Sequence, residues 1–412
     1  MKISTGITFT ISSFFQTISG MTISLFALSM IGPEKIGLWH AALILKPYIN
    51  FAQLGLTQGL GRELPFYMGR NDDKKVKQYA SNAQLITILY SFLTVIISIF
   101  LIVFYADSIQ EKLIFITAGI FISTMFVDNY LSSTYRSSKS FKDLSKVYVL
   151  VSIIGLMLIP LIYYFNFNGY LILLSVQSIF STILLIFFRP FKIKSIFNKV
   201  IYINSIKVGF PMLTLNFLRN IPDTYPKIII LFFMSVTALG TTAPANAVLT
   251  AFAMFPLAIA KYVYPTMTYD YGRDGDRIRL WKKIKKICGY LLLLGCIGLL
   301  SSFIIPWGIK NFFPKYQDAI YITIIATGIG FLRMFSIIFN VFNTLKSYAA
   351  QFKVSVIRNA SYLLFPASLY FLFSGDDPLL IIFIGILFAE LISNVFMFYF
   401  VYKVTHINTI SV

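Results

Sequence analysis

The chain has 412 residues, of which 57% are hydrophobic and only 12% are charged, with a mean hydropathy of +0.77. Too few polar residues are present to cover an apolar core, so a water-soluble globular protein is excluded. The formal net charge of +19 would suit nucleic acid, but the basic residues follow a membrane topology instead.

Apolar runs of about 18 to 28 residues recur along the chain, and each can cross a hydrocarbon layer of about 30 Å as a helix. The alternation typical of barrel strands is absent,. The sequence therefore predicts an all-α, polytopic membrane protein. Its twelve predicted spans, numbered in chain order, are residues 3–31, 36–60, 79–105, 113–133, 147–165, 170–188, 208–234, 239–260, 287–308, 319–345, 354–373 and 379–401.

The basic residues are distributed unequally between the two sides of the membrane. Of the 35, 27 lie at the termini or in loops after even-numbered spans, four lie in the other loops, and four lie within spans. Since basic loops stay in the cytoplasm, this pattern predicts an inner-membrane protein with both termini in the cytoplasm. The distribution explains the net charge, so no nucleic-acid partner is expected.

Charged side chains within the spans are the first candidates for a function. In chain order they are Lys46, Asp128, Arg219, Asp223, Lys227, Arg333 and Glu390. Each costs about 2.5 to 3.5 kcal/mol at the bilayer centre, so none is expected to face lipid. In span 7, Arg219, Asp223 and Lys227 are four residues apart, which predicts one helical face where the acid pairs with either base.

Two interpretations of these charges remain open. A structural ion pair between helices explains one acid and one base but leaves the third charge of span 7. Alternatively, the charged residues line a cavity. Because the four bases outnumber the three acids, such a cavity has a net positive charge, which suits an anionic cargo. Pro211, Pro222 and Pro226 favour a kinked or broken helix beside such a cavity. Span 1 carries a polar line that is weaker evidence, comprising Thr5, Thr8, Ser12, Gln16 and Ser19,.

An internal repeat divides the chain. An ungapped shift of 203 residues sets Gly6 on Gly209, Gly37 on Gly240, and the loop "YMGRNDDK" (67–74) on "DYGRDGDR" (270–277). The shift predicts two six-helix halves, residues 1–205 and 206–412, related by an axis along the membrane normal. Transporters of this kind bind substrate between their halves.

This chain contains few residues of the types that form catalytic or metal sites. Only two histidines and two cysteines occur, without a CxxC pattern, and no phosphate-binding glycine loop is present. We therefore expect no enzyme activity, no metal and no nucleotide cofactor.

The segment "IGPEKIGLWHAALILKPYINFAQLGLTQGLGRELPFYMGRNDDKK" (31–75) resembles the polysaccharide transporter family, the Wzx-type O-antigen flippases. This family belongs to the MOP superfamily, with the multidrug and toxin extruders (MATE) and the lipid II flippase. Looser matches follow at "VGFPMLTLNFL" and "PDTYPKIII" of span 7, "YRSSKSFKDLSKV" (135–147) and "FFPKYQDAIYI" (312–322).

The resemblance implies a flippase that moves an undecaprenyl-pyrophosphate-linked oligosaccharide from the cytoplasmic to the periplasmic leaflet by alternating access. We expect Arg219, Lys227, Lys46 and Arg333 to meet the pyrophosphate in a central cavity. On the cytoplasmic side, Arg70, Arg273 and Arg277 are expected where the cargo arrives. The resemblance also implies an O-antigen polymerase and a chain-length regulator as partners. The basic segment 277–286 predicts an amphipathic segment that lies on the anionic lipid of the inner leaflet.

The energy source has several candidates. The membrane potential favours outward movement of an anion, and Asp223, Asp128 or Glu390 could exchange H⁺ or Na⁺ or simply pair with bases. Two other functions remain open: a MATE-like multidrug or ion-coupled exporter, which should display acids for cationic drugs, and an O-antigen polymerase, which needs a larger periplasmic loop.

Overall fold

The computed structural model describes residues 3–373 and 377–406, and within these ranges all regular structure is helical. Eight of the described helices are long and apolar enough to cross a membrane. The helices are α1 Ile3–Met30, α2 Pro33–Ala42, α3 Lys46–Phe51, α4 Leu56–Gly69, α5 Asp73–Tyr105, α6 Ile109–Ser137, α7 Phe141–Met157, α8 Ile159–Phe187, α9 Lys199–Asn220, α10 Tyr225–Phe233, α11 Val236–Thr241, α12 Ala243–Asp274, α13 Arg277–Leu299, α14 Ser301–Phe312, α15 Ile320–Arg333, α16 Phe339–Leu345, α17 Tyr348–Leu372 and α18 Pro378–His406.

The predicted fold class is confirmed. The chain is an all-α, multi-pass membrane protein, and each of the twelve predicted spans lies mainly on helix. Several spans are interrupted rather than continuous, and three of them show this most clearly. Span 2 comprises α2, α3 and the start of α4, whereas spans 7 and 10 contain the 3₁₀ turns Ile221–Thr224 and Met334–Ile338.

The breaks in span 2 follow from its residues. Pro47 lies in the first turn of α3, where a missing N–H costs nothing, so α3 begins afresh at Lys46,. Beyond the end of α3, Leu54 and Gly55 have left-handed backbone angles, with φ of 54° and 85°, which prevents α3 and α4 from forming one continuous helix. Gly55 also lies against the backbone of Gly209, because a Cβ there would be 2.5 Å from the next amide nitrogen.

Spans 5 and 6 differ from the predicted boundaries. Helix α7 ends at Met157, inside predicted span 5, and α8 begins two residues later with Pro160 in its first turn. The direction of α8 then changes sharply at Asn166, whose φ of 50° and ψ of −125° are not helical. Asparagine adopts positive φ more often than most residues, and Asn166 lies between the two predicted spans.

The helices form two compact units, each with its own core. The first comprises Met1–Ile31 and Leu38–Phe217, and the second comprises Gly32–Gly37 and Leu218–Val412. Fully buried side chains such as Tyr135 and Leu144 lie in the first core, and Met267 and Val354 lie in the second. The repeat boundary after residue 205 stays a prediction.

Two glycines matched by the repeat contact each other within the second unit. A Cβ on Gly37 would lie 3.0 Å from the amide nitrogen of Gly240, and one on Gly240 would lie 2.8 Å from the amide nitrogen of Gly37. Because these distances leave no room for a side chain, glycine at both positions lets the backbones of α2 and α11 touch.

The two repeated loops have the same construction but differ in register. Asn71 and Gly275 each have positive φ, and each is followed by an aspartate that caps the next helix. Asp72 accepts a hydrogen bond from the Lys75 amide at the start of α5, and Asp276 does the same at the start of α13,. The equivalent caps are therefore 204 residues apart, so the second loop holds one extra residue relative to the ungapped shift.

Candidate functional site

The helix of span 7 is interrupted at Pro222, and side chains of α17 donate hydrogen bonds to the carbonyls that lose their helical donors there. The Leu218 carbonyl would accept a helical hydrogen bond from the amide of residue 222, but proline has no N–H,. Asn359 Nδ2 donates to that carbonyl at 2.6 Å instead, and the Asn359 Oδ1 atom accepts from the Tyr225 hydroxyl at 2.8 Å. Arg358 Nη1 donates to the next carbonyl, that of Arg219, at 3.2 Å.

Four charged side chains of the second unit form one ion-pair network beside this break. Asp223 Oδ1 lies 2.9 Å from Arg333 Nη2 and 3.4 Å from Arg358 Nη2. Glu390 Oε2 lies 3.3 Å from the same Arg358 nitrogen and 3.7 Å from Arg333 Nε. Two acids thus neutralise two bases. We call these four residues the ion-pair network.

Tyr362 connects the members of the ion-pair network. Its hydroxyl donates to Glu390 and accepts a hydrogen bond of 2.9 Å from Arg333 Nη2. The ring is fully buried, and the Arg358 guanidinium carbon lies 5.1 Å from its centroid. Because the phenol is held from both sides, it fixes the two arginines relative to Glu390.

The network is buried at one end and accessible at the other. The side chains of Glu390 and Arg358 are 6% and 10% exposed, whereas that of Asp223 is 43% exposed. Arginine carries donors in a rigid fork, so each guanidinium can serve two acceptors at once. The geometry therefore presents one carboxylate, already paired, at an accessible surface of the unit.

Arg219 and Lys227 lie outside the ion-pair network. Both side chains are half-buried, and neither belongs to an ion pair among the described residues. The Arg219 guanidinium faces the Phe339 ring, with 6.0 Å from its carbon to the centroid. Among the described residues, the ion-pair partners of Asp223 are Arg333 and Arg358 rather than these neighbours in span 7. The 3₁₀ turn has about three residues per turn, so a spacing of four no longer keeps one face.

Arg358 is the principal functional candidate that the sequence analysis missed. It lies within predicted span 11 but was counted with the preceding basic loop. Its position could have been found, because it lies four residues inside the predicted start of the span at 354. With Arg358 included, the spans of the second half hold four bases and two acids. The two acids of the ion-pair network neutralise Arg333 and Arg358, so Arg219 and Lys227 are the two bases without an acid to balance them.

The first unit holds its charged candidates in a different way. Asp128 on α6 accepts hydrogen bonds from the Ser181 hydroxyl at 2.7 Å and from the Thr182 hydroxyl at 2.6 Å, both on α8. Among the described residues, no ion pair includes Asp128. A carboxylate with two hydroxyl donors and no base is suited to bind a proton or a small cation.

Lys46 and the polar line of span 1 also belong to the first unit. Lys46 lies at the break before α3, and its ammonium is 4.5 Å from the centroid of the Phe121 ring. Ser12 donates to the Phe9 carbonyl of its own helix, and Ser19 donates to the Ser152 carbonyl of α7 at 3.1 Å. These two hydroxyls therefore connect backbone groups, as the weaker interpretation of the line expected. The Thr5 side chain lies outside the described residues.

The three loop arginines are at helix ends. Arg70 stacks on the Phe66 ring at 4.3 Å, Arg273 forms two hydrogen bonds with Asp274, and Arg277 is the first residue of α13. The hydrogen bonds from Arg273 hold the pKa of Asp274 below its usual value. All three lie near the repeated loops.

The basic segment 277–286 does not lie on the membrane as a separate amphipathic helix. It is the first part of α13, and its apolar residues Leu280 and Ile284 are buried in the core of the second unit. Trp281 packs on Tyr402 of α18. Because Leu280, Trp281 and Ile284 contact protein, the basic side chains of this segment and the exposed Ile278 are left to meet lipid,.

Solved transporter structures share this fold. An inward-facing MATE-family multidrug resistance transporter of the MOP superfamily matches with a TM-score of 0.71 and 13% identity, over 95% of this chain and 94% of that chain. The lipid II flippase MurJ in an inward closed conformation gives 0.71 and 14%, over 97% and 90%. A MOP-superfamily transporter from Pyrococcus furiosus, described as having a binding pocket of reverse polarity, gives 0.63 and 14%, over 97% and 94%.

Sequence comparisons add no relative. No family model matches the chain, and no curated protein matches it significantly. Identities of 13% and 14% establish shape rather than substrate,. The similarity nevertheless extends over nearly the whole length of each structure. The chain has the fold of the MOP-superfamily transporters.

Proposed function

We propose that this protein is a bacterial inner-membrane flippase with both termini in the cytoplasm. Its cargo is an oligosaccharide on undecaprenyl pyrophosphate, carried from the cytoplasmic to the periplasmic leaflet by alternating access. The observation that carries the proposal is the pair of bases at the break of span 7. Arg219 and Lys227 are available because the network residues neutralise one another.

The chemistry of the cargo matches this surplus. A pyrophosphate diester carries a negative charge on each phosphorus, and it cannot cross hydrocarbon without groups that replace its water. Broken helices at membrane depth are typical of transporter substrate sites, since they bring backbone and charged groups to a cavity. We assign Arg219 and Lys227 to the pyrophosphate, with Lys46 of the first unit as a third base. Arg333 contributes to the site indirectly, through its ion pair with Asp223.

Coupling to H⁺ or Na⁺ is assigned to Asp128. Asp223 and Glu390 are bonded to arginines, which remain charged, whereas Asp128 has only hydroxyl donors among the described residues,. Protonation or cation binding at Asp128 therefore meets no competing base. The membrane potential supplies about 2.3 kcal/mol per charge per 100 mV in addition.

The proposed partners follow from the cargo. A protein that delivers oligosaccharide units outward needs a polymerase, and a chain-length regulator, to consume them. Arg70, Arg273 and Arg277 lie on the side where the positive-inside rule places the cytoplasm. We assign these arginines to the first attraction of the cargo.

A MATE-like exporter of cationic compounds is the alternative. Asp128 favours it, because a carboxylate without a base attracts a cation. The positive surplus of the second unit disfavours it, since a cationic drug would meet Arg219 and Lys227. A polymerase is disfavoured because the outer loops hold only about a dozen residues, too few for a catalytic domain.

A leaflet assay tests the proposal. The protein is reconstituted in vesicles with labelled undecaprenyl-pyrophosphate oligosaccharide, and accessibility of the label from the far side is followed under an imposed potential and ion gradients. We expect transfer well above protein-free vesicles. Arg219→Ala or Lys227→Ala should abolish it, while the control Lys310→Ala, at an exposed position outside the spans, should not.

The outcomes separate the function from the site. Absence of transfer by the wild-type protein under all gradients contradicts the flippase. Normal transfer by both the Arg219 and Lys227 variants contradicts the site and leaves the flippase intact. Efflux of a cationic dye, with no transfer of the lipid, would identify the MATE-like alternative.

A further inference from the structure

A groove of about 810 Å³ runs between α1 and α7 in the first unit. Its apolar walls include Ile11 and Phe15 on α1 and Val149 and Leu150 on α7. Ile11 is 63% exposed, so the groove is open along its outer side. Its volume falls within the range of about 300 to 1,000 Å³ that is usual for ligand sites.

Only one end of the groove is charged. Lys142 and Lys146, one turn apart at the start of α7, line it there, and Val149 and Leu150 continue the same helix toward the membrane centre. The hydroxyls of Ser12 and Ser145, which also line the groove, donate to carbonyls of their own helices. The groove therefore has a basic head and an apolar body, which matches the shape of a membrane lipid.

The charge at the basic head selects the headgroup. Lys146 forms an exposed ion pair of 3.7 Å with Asp143, so the head carries one net positive charge. A phosphodiester with one negative charge balances it, whereas a pyrophosphate would leave an excess. The positive-inside rule places this end of α7 at the cytoplasmic leaflet, where anionic glycerolipids are attracted to basic residues.

We propose that this groove binds a monoanionic glycerophospholipid of the phosphatidylglycerol type, with its phosphate at Lys142 and Lys146 and an acyl chain along α1 and α7. The site is separate from the cargo site assigned above, and it does not depend on the flippase proposal. It makes a structural lipid part of the first unit.

A photo-crosslinking experiment tests the site. The full-length protein is reconstituted in phosphatidylcholine vesicles that contain a trace of phosphatidylglycerol with a diazirine on one acyl chain, and crosslinked peptides are identified by mass spectrometry. Crosslinks should concentrate in residues 8–15 and 142–150. The same acyl probe on a phosphatidylcholine headgroup should label these peptides much less.

Variants distinguish the head from the body of the groove. The double variant Lys142→Ala/Lys146→Ala should reduce crosslinking about 25-fold, since each lysine near an anionic surface contributes about a factor of five. The control Lys282→Ala/Lys285→Ala removes the same charge from exposed positions of α13 and should change nothing. Ile11→Trp, at an exposed position that tolerates a larger ring, should block the groove with both lysines present.

Three results would overturn the proposal: equal labelling by the two headgroups, labelling that survives both the lysine variant and Ile11→Trp, or stronger competition by unlabelled polyprenyl pyrophosphate than by phosphatidylglycerol. The last result would assign the groove to the cargo tail. Monodisperse elution of each variant in detergent establishes that a loss of labelling does not come from misfolding.

Discussion

The two units hold their membrane carboxylates in opposite ways. In the second unit, Glu390 and Asp223 are bonded to two arginines and a buried tyrosine. In the first unit, Asp128 accepts hydrogen bonds from two hydroxyls and forms no ion pair with any described base. Arginines stay charged under all physiological conditions, so the first arrangement is permanent. Hydroxyls bring no charge, so the second arrangement leaves Asp128 free to change its state.

The comparison separates structure from function among seemingly equivalent residues. A buried network with all members paired supports the shape of its unit, and removing one member is costly. Residues outside such a network can be removed with little loss of stability, and any effect on transport then reports their function. Four variants, ordered by the expected loss of stability in a detergent unfolding titration, test this separation.

The largest loss is expected for Arg358→Ala. It leaves Glu390 and Asp223 with a single arginine between them, and breaking a buried ion pair costs about 3 to 5 kcal/mol. The double variant Arg358→Met/Glu390→Gln removes a charge of each sign and should recover much of the stability. A loss below 1 kcal/mol for the single variant would contradict the scaffold role of the network.

A smaller loss is expected for Asn359→Leu, which leaves the partly buried Leu218 carbonyl without its donor at a cost of about 1 to 3 kcal/mol,. Pro222→Ala supplies the missing backbone N–H. In that background the cost of Asn359→Leu should therefore decrease, and equal costs in both backgrounds would show that Asn359 does not compensate for the proline.

Asp128→Asn should lose only about 1 kcal/mol, the difference between hydrogen bonds to a charged and to a neutral acceptor. Its effect on transport should be larger. Transfer of the labelled lipid should become insensitive to imposed H⁺ and Na⁺ gradients, with Glu390→Gln as the comparison that disturbs stability instead. Unchanged gradient dependence in Asp128→Asn would remove it as the coupling residue.

The smallest loss is expected for Arg219→Ala, within about 0.5 kcal/mol. Arg219 has no carboxylate partner among the described residues and lies beside the like-charged Arg358. The same unfolding titration, run beside the leaflet assay, should thus show a stable protein without transfer. A loss as large as that of Arg358→Ala would place Arg219 in the scaffold.

Hydropathy predicted the helices well, because a span must be apolar over its whole length whatever its neighbours are. The breaks were harder to predict. The prolines of span 7 indicated one of them, but the 3₁₀ turn decided which way Asp223 faces. Its partners come from α15 and α17, 110 and 135 residues further along the chain. Spacing along one helix contains no information about such contacts.

The sequence predicted most of the charged residues of the candidate site but not its neutral polar residues. Arg219, Asp223, Lys227, Arg333 and Glu390 could be selected because a charge in an apolar run is conspicuous. Asn359 and Tyr362 could not, since a neutral polar residue in a membrane helix is common and its importance depends on which carbonyl or acid it meets. Arg358 fell beside a basic loop, where one more positive charge attracts no attention.

The neutral network has an electrical consequence. A movement of the second unit along the membrane normal displaces no net charge from its four paired residues, so among the charged side chains within its spans only Arg219 and Lys227 contribute. With a pyrophosphate bound, these two charges are balanced as well. On the proposed function, outward movement of these two bases together with their cargo is electrically silent. The inside-negative potential acts instead on the return of the empty one, which carries two positive charges toward the cytoplasm.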